Sequence, residues 1–138
     1  MTILDTNVIS ELMHPGPNPK VVAWLDQQQR SSIWITSITI FEVTYGLETM
    51  TSGRKQYGLR SEFESLLRKL EERIAQFDEP AARKAADLMA LREKKGRPQD
   101  LRDTMIAGIV LARQASLATR NVSHFADISA TVVNPWTA

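Results

Sequence analysis

The stretch Ile3-Leu4-Asp5-Thr6-Asn7-Val8-Ile9 determines how we interpret the rest of the chain. Ile3 and Leu4 have the character of a buried β-strand, and an acid, a hydroxyl and an amide follow before apolar residues resume. A carboxylate at the carboxyl end of a strand lies where open α/β sheets place their ligand sites. The alternative is that Asp5 or Asn7 only caps the short helix that follows. Other segments of the chain must decide between the two interpretations.

The chain has the length and composition of one ordinary globular domain. Its 138 residues predict a single domain over 1–138, and its formal net charge of +1 indicates no general affinity for nucleic acid or membrane. The sequence has no cysteine, which excludes disulfides, thiolate metal sites and cysteine nucleophiles. No basic region followed by an apolar stretch opens the sequence, and the longest apolar run, 105–112, is too short to span a bilayer. We therefore expect a soluble cytoplasmic protein without a membrane anchor.

Strand-like and helix-like segments alternate along the sequence. Beyond the first strand, apolar and β-branched residues predict strands at 33–36 and 117–119, with weaker candidates at 74–77 and 131–133. Helical spacing and turn residues predict helices in the intervening segments: up to about residue 13, from 19, over 37–50, over 54–73, from 79 until Gly96, and after Asp100. This order predicts right-handed βαβ units and a three-layer α/β/α domain with a central parallel sheet of four to five strands.

The apolar spacing also predicts which face of two helices is buried. In the 37–50 helix, the residues predicted to face the core are Ile38, Phe41 and Tyr45, with Leu47 as a further candidate. In the helix that ends at Gly96, they are Ala82, Ala85, Ala86 and Met89, with Arg92 as a further candidate.

Polar residues collect at one predicted edge of this sheet. Asp5 ends the first strand, Glu42 lies in the first turns of the helix after the second strand, and Asp103 lies in the first turn of the last helix. Thr119 and Asn121 follow the fourth strand. Three carboxylates on one rim repel each other and cost free energy to desolvate, so such a cluster usually needs a bound cation. Oxygen-only ligation favours Mg²⁺ or Mn²⁺ over zinc.

Each acid also has a structural alternative. The segment Thr39-Ile40-Phe41-Glu42 matches a capping box, and Asp100-Leu101-Arg102-Asp103 matches a cap followed by an acid that the helix dipole favours. Their joint occurrence on one rim, together with the apolar residues beside Glu42 and Asp103, favours a site.

Other chemistries fit the sequence less well. An aspartyl-phosphate mechanism with Asp5 as nucleophile would usually want a second acid two residues later, where the chain has Asn7. His14 and His124 are the only histidines, and loop residues flank both of them. We therefore interpret both as surface histidines rather than catalytic ones.

Four motifs occur in order: Leu4-Asp5-Thr6-Asn7, S-I-T-I-F-E at 37–42, Asp103-Thr104-Met105-Ile106-Ala107, and Thr119-Arg120-Asn121 followed by His124-Phe125. Together with the ending Asn134-Pro135-Trp136, they resemble the signatures of PIN-domain ribonucleases over essentially the whole chain. The closest likeness is to the VapC and FitB-like toxins of bacterial toxin–antitoxin pairs.

The resemblance implies a cytoplasmic, Mg²⁺-dependent endonuclease acting on RNA, with tRNA as a candidate substrate and Mn²⁺ as a substitute metal. It also implies a homodimer that is neutralised by a small VapB-like DNA-binding antitoxin. The chain would contact DNA only through this antitoxin. The competing interpretation is a catalytically weak module that serves mainly as the partner of that antitoxin in a repressor complex.

The resemblance maps the first three acids of the family onto Asp5, Glu42 and Asp103. Members often have a fourth acid just after the T-R pair, whereas this chain has Asn121 there. The departure puts a second metal position in doubt and keeps the weak-module interpretation open, whereas the presence of Asp5, Glu42 and Asp103 favours the enzyme. Asp100 and Asp127 are candidates to compensate, although their positions do not match the family motif.

A mechanism follows from these assignments. A metal held by Asp5 and Asp103, with Glu42 as a direct or water-mediated ligand, would lower the pKa of a water molecule and stabilise charge on the scissile phosphate. Thr6 and Thr119 would orient carboxylates or water by hydrogen bonds. Asn121 would be at most a weak ligand.

Two surfaces are expected to serve partners. The resemblance and the negative site predict that Phe41, Tyr45 and Tyr57 border a groove for an amphipathic antitoxin segment. The basic residues of the 54–73 helix would either contact RNA phosphates or form an ordinary solvated face, and we favour the solvated face.

Overall fold

Strands and helices alternate as the sequence predicts, and the computed structural model describes residues 1–138. The strands are β1 (Thr2–Leu4), β2 (Ile33–Thr36), β3 (Ile74–Ala75), β4 (Ser116–Ala118) and β5 (Val132–Val133). The helices are α1 (Thr6–Met13), α2 (Pro19–Asp26), α3 (Ser37–Thr49), α4 (Arg54–Leu70), α5 (Glu79–Lys94) and α6 (Leu101–Ala112). Short 3₁₀ turns occupy Arg30–Ser32 and Val122–Phe125. None of the helices has the length and apolar character needed to cross a bilayer.

The five strands form one parallel sheet in the order β3-β2-β1-β4-β5. The chain builds outward from β1 to β3 and then returns to place β4 on the other side of β1. In this pairing Leu4 lies opposite Ala118, so β1 and β4 end side by side. The order of the strands reverses between β1 and β4. The carboxyl ends of these two strands are therefore the topological switch point, where open α/β sheets bind ligands.

Two apolar cores cover the two faces of the sheet. Ile3 and Leu4 are adjacent in β1 and point to opposite faces. Leu4 belongs to the core built with α1, α2 and α4, and Ile3 to the core built with α5 and α6. Helices α5 and α6 approach closely at Gly108, where an added Cβ would lie 2.5 Å from the carbonyl oxygen of Ala81. The three-layer α/β/α prediction is therefore confirmed.

Helix α4 ends at Leu70, three residues before the predicted end. Glu71 and Glu72 adopt left-handed backbone conformations, with φ of 49° and 68°, which stop the helix. Arg73 then pairs with β2, because its carbonyl accepts from the Ile35 amide and its Nε donates to the Ile33 carbonyl.

The predicted buried faces of α3 and α5 were partly wrong. Phe41 and Tyr45 are more than half exposed, and the buried residues of α3 are Ile38, Thr39, Val43 and Leu47. In α5 the buried residues are Ala81, Ala85, Leu88 and Arg92. Both helices mix small, apolar and polar residues around their circumference, so apolar spacing alone does not define one face.

Candidate active site

A polar pocket of about 400 Å³ opens at the switch point between β1 and β4. Its lining contains one hydrophobic residue and comprises Asp5, Thr6, Asn7, Ser10, Glu11, His14, Glu42, Asp103, Arg120, Asn121 and Trp136. The three predicted acids therefore reach one pocket from three separate segments. His14 also lines it, which the interpretation as an ordinary surface histidine did not anticipate.

Asp5 is both the N-cap of α1 and the most buried acid of the pocket. One carboxylate oxygen, Oδ1, accepts from the Thr6 amide at 2.8 Å, while Oδ2 accepts from the Thr119 hydroxyl at 2.7 Å. The residue is only 2% exposed. The two interpretations of the opening stretch are thus compatible, because one oxygen caps the helix and the carboxylate still lines the pocket.

The surroundings of Asp5 favour its neutral form in the absence of a cation. Burial is the largest influence and raises its pKa from 3.8 to about 6. The hydrogen bonds from Thr119 and Thr6 oppose this rise, and the charges of Asp103 and Glu42 add to it. Burial also raises the pKa of Glu42, against the hydrogen bond from Thr6 and the charge of Arg102. A bound cation would stabilise both charged carboxylates against their desolvation and against the smaller repulsion between them.

Glu42 is held by a chain of threonine hydroxyls. Its Oε1 accepts from the Thr6 hydroxyl at 2.8 Å, and the Thr6 and Thr39 hydroxyl oxygens are 2.9 Å apart. Since Thr6 donates its proton to Glu42, Thr39 donates to Thr6. Thr36 Oγ1 lies 3.4 Å from Thr39 Oγ1 and accepts from the Thr39 amide at 3.0 Å.

The capping-box interpretation of Glu42 is therefore wrong, because Thr36 is the N-cap of α3. The Glu42 carboxylate bonds across to α1 instead of back to its own helix. Its second oxygen, Oε2, lies 3.7 Å from Arg102 of α6. Glu42 thus joins three helices at the pocket.

Asp100 and Asp103 have different roles at the start of α6. Asp100 is the N-cap and accepts from the amides of Arg102 and Asp103 at 2.9 and 3.2 Å. It does not line the pocket. The Asp103 carboxylate does line it, and its Oδ2 is 3.0 Å from Nδ1 of His124. His124 is a surface histidine, with its side chain 42% exposed, and it contacts a site acid, a contact that the sequence did not predict.

Thr119 ties the end of β4 to the end of β1. Besides donating to Asp5, its hydroxyl accepts from the side chain of Asn7 at 3.3 Å and from the Asn121 amide at 3.0 Å. Asn7 Oδ1 accepts from the Arg120 amide at 3.2 Å. Asn121 is exposed and lines the pocket, so it occupies the rim where a fourth acid was sought.

Asp127 does not compensate for Asn121. Its carboxylate accepts two hydrogen bonds of 2.8 Å from the guanidinium of Arg92, which lower its pKa. Arg92 is only 2% exposed and donates further to the Thr104 hydroxyl and to the His124 carbonyl. Arg92 thus joins α5 to Thr104, which follows Asp103 in the chain, and to His124, which contacts the Asp103 carboxylate. The sequence signal was an arginine on the apolar stripe of α5, but its partner 35 residues away was not predictable.

The donor set has the chemistry of a site for a hard divalent cation. Three carboxylates in a polar pocket offer oxygen ligands and negative charge. No three histidine, aspartate or glutamate side chains converge closely enough in this structure to form a complete metal-binding group. Arg102 places a permanent positive charge 3.7 Å from Glu42, so Asp5 and Asp103 are the principal candidate ligands and Glu42 is a water-mediated one.

Comparisons with known proteins identify the family of the chain. Residues 2–130 match the PIN domain family. The chain is 36% identical to VapC ribonuclease Y4jK of Sinorhizobium fredii, over 99% of this chain and 98% of that protein. It is 35% identical to Toxin FitB of Neisseria gonorrhoeae, over 99% of each chain. The solved structure of FitAB bound to an IR36 DNA fragment contains a chain 35% identical, with a TM-score of 0.89 over 99% of this chain and 96% of that one. The chain therefore belongs to the PIN-domain ribonucleases, in the group that contains the VapC and FitB toxins.

Proposed function

We propose that this chain is a Mg²⁺-dependent endoribonuclease toxin that hydrolyses phosphodiester bonds in RNA. The observation that carries the proposal is the meeting of Asp5, Glu42 and Asp103 in one pocket at the switch point of the sheet. The family of the chain and its relation to a VapC ribonuclease support the choice of RNA as substrate. Mn²⁺ would substitute for Mg²⁺, because both accept carboxylate and water ligands.

The contacts of each residue indicate its role in the proposed reaction. Asp5 and Asp103 would bind the ion directly, with Glu42 acting through water, and Thr119 and Thr6 would keep the Asp5 and Glu42 carboxylates aimed at it. The ion would supply positive charge beside the scissile phosphate and make water a better nucleophile at neutral pH.

Asn121 sets the number of ions. An amide oxygen is neutral, whereas a carboxylate at this point of the rim would add a full negative charge. Asp100 caps α6 and Asp127 is paired with Arg92, so neither is free to replace it. We therefore propose that the native site binds one divalent ion tightly.

We propose a VapB-like antitoxin as the regulatory partner, with a homodimer as the toxin form and DNA contacted only through the antitoxin. The related FitAB structure holds DNA, which supports this assembly. On the present chain, Phe41 and Tyr45 form an exposed stacked pair with ring centroids 6.2 Å apart, and Tyr57 is 75% exposed. These rings suit the apolar face of an amphipathic segment, and a basic residue of that segment would pair with the acidic pocket.

The antitoxin proposal is tested by co-expression with the product of the adjacent reading frame. Complex formation should slow hydrogen exchange in α3 and the start of α4 and should abolish RNA cleavage. Undiminished cleavage in the complex, or protection confined to other helices, would contradict the assignment of this surface.

The competing function, a catalytically weak partner of a DNA-binding antitoxin, is favoured only by Asn121. RNA cleavage by the purified chain with Mg²⁺ and with a chelator distinguishes the two functions. We expect cleavage with Mg²⁺, none with the chelator, and none from a correctly folded Asp103→Asn variant. Absence of cleavage across a broad set of cellular RNAs, or equal cleavage by Asp103→Asn, would reject the enzyme.

A further inference from the structure

The acidic pocket has one permanent cation in its lining. Four carboxylates line it, those of Asp5, Glu11, Glu42 and Asp103, against the single guanidinium of Arg120. A polyanionic RNA approaching such a pocket meets repulsion that a bound divalent ion only partly cancels. Any fixed positive charge at the mouth therefore has a large influence on substrate binding.

The guanidinium of Arg120 is held without using its hydrogen-bond donors. Its Cζ lies 5.0 Å from the ring centroid of Trp136, within the range of a cation–π contact. The ring is itself fixed, because Trp136 is 9% exposed and its amide donates to the Asn134 side chain. Arg120 makes no ion pair with any of the four carboxylates, and its side chain donates no hydrogen bond.

This arrangement differs from that of the other arginines near the site. Arg92 is fully engaged by Asp127, Thr104 and the His124 carbonyl, and Arg102 lies 3.7 Å from Glu42. A cation–π contact holds the guanidinium of Arg120 through the ring of Trp136 and leaves its N–H donors without partners in the protein. These N–H donors are the part of arginine that binds a phosphate through two parallel hydrogen bonds.

We propose that Arg120, oriented by Trp136, is the phosphate-binding residue that holds the RNA backbone at the mouth of the acidic pocket. The inference rests on the proposed ribonuclease function and adds the residue that overcomes the repulsion between substrate and site. Arg120 lies on the rim of the pocket beside Asn121, so the phosphate that it binds is a neighbour of the scissile phosphate. The contact between Arg120 and this phosphate is present both in the substrate complex and in the transition state. Its loss should therefore raise KM and leave kcat nearly unchanged.

The test compares Arg120→Gln with Arg83→Gln, a matched loss of one arginine charge on the exposed face of α5. Steady-state cleavage of a dye-labelled single-stranded RNA with Mg²⁺ should show KM raised about tenfold or more in Arg120→Gln, the effect of losing a charge-assisted hydrogen bond. The Arg83→Gln control should match wild type. Circular dichroism and thermal melts establish that both variants are folded.

Binding without cleavage provides the second readout. In an Asp103→Asn background, anisotropy of the same RNA is measured over a range of salt concentrations. Arg120→Gln should reduce the slope of log affinity against log salt by about 0.7, the value for one phosphate contact on a single strand, and Arg120→Lys should retain the slope.

The outcomes separate this inference from the proposed function. If wild type cleaves RNA with Mg²⁺ but Arg120→Gln retains the wild-type KM and salt slope, the Arg120 proposal is overturned and the enzyme proposal stands. A loss confined to kcat, or an equal loss in Arg83→Gln, overturns it as well. If wild type cleaves no RNA at all, the enzyme proposal itself fails.

Discussion

At the scale of single residues, the buried carboxylate of Asp5 suits a cation site but destabilises the metal-free folded protein. It is nearly fully buried, yet its neighbours in the pocket include two further acids, Glu42 and Asp103. Three donors, the Thr6 amide, the Thr119 hydroxyl and the Asn7 side-chain amide, do not offset its loss of hydration, and its pKa rises to about 6. The metal-free protein therefore carries a local electrostatic cost that metal binding would remove.

This cost predicts a pH-dependent stability difference between metal-free wild type and Asp5→Asn. The folded-state pKa lies above the unfolded one, so wild type is as stable as the neutral variant below about pH 4 and loses stability as pH rises toward 6. Above pH 6 the variant should be more stable by roughly 3 kcal/mol, since one pKa unit corresponds to about 1.4 kcal/mol. Urea unfolding in EDTA at pH 4 and pH 8 measures the difference, and an equal gap at both values contradicts the account.

Asn121 supports a second prediction at this scale. Replacement by aspartate adds a charged oxygen to the rim of the pocket, so Asn121→Asp should bind Mn²⁺ at least about tenfold more tightly, or bind a second ion. Calorimetric titration of both forms gives the affinity and the number of ions. Tight binding of two ions by the native protein would show that Asn121 does not limit the site.

At the scale of elements, side chains from neighbouring helices hold the pocket in place. The hydroxyl chain Thr36-Thr39-Thr6 links the start of α3 to α1 and ends on Glu42. The guanidinium of Arg92 links α5 to α6 and to the turn that carries His124. The two networks approach the acids from opposite sides of the sheet. The helices α1 and α5, which carry Thr6 and Arg92, pack in separate apolar cores on these two sides.

The capping assignment predicts different effects for a substitution at the N-cap of α3 and for one inside α3. Thr36→Val removes the cap and should lower the free energy of unfolding by about 1–2 kcal/mol. Glu42→Gln retains the oxygen that accepts from Thr6 and should leave stability nearly unchanged while RNA cleavage falls sharply. Urea unfolding and the cleavage assay measure the two effects. Unchanged activity in Glu42→Gln would return Glu42 to a structural role.

The Arg92–Asp127 pair predicts an asymmetry between its two partners. The arginine side chain is 2% exposed and the aspartate side chain 41%, so water can hydrate the carboxylate but not the guanidinium. Asp127→Ala leaves a buried cation without its counter-charge and should cost about 3–5 kcal/mol, more than Arg92→Met. The double variant should be more stable than Asp127→Ala alone. Equal costs for the two single variants would contradict this view of the pair.

At the scale of the whole molecule, the alternation of segments was sufficient to predict the layers and the parallel sheet. The carboxyl ends of parallel strands share one edge, and the sequence predicted Asp5, Glu42 and Asp103 at that edge. The exposed side of α3 was not predictable, because Phe41 and Tyr45 are apolar yet face outward. Nor were the contacts of Arg92 and His124, since they depend on tertiary packing between segments distant in sequence.

We propose that the pocket at the switch point is a divalent-metal site. Anomalous diffraction from crystals of the full chain soaked in Mn²⁺ locates the ion directly. We expect one strong peak between the carboxylates of Asp5 and Asp103, close to Glu42, and its disappearance in crystals of Asp103→Asn. Absence of a peak in the pocket at saturating Mn²⁺, or a peak that persists unchanged in that variant, would show that the pocket is not this metal site.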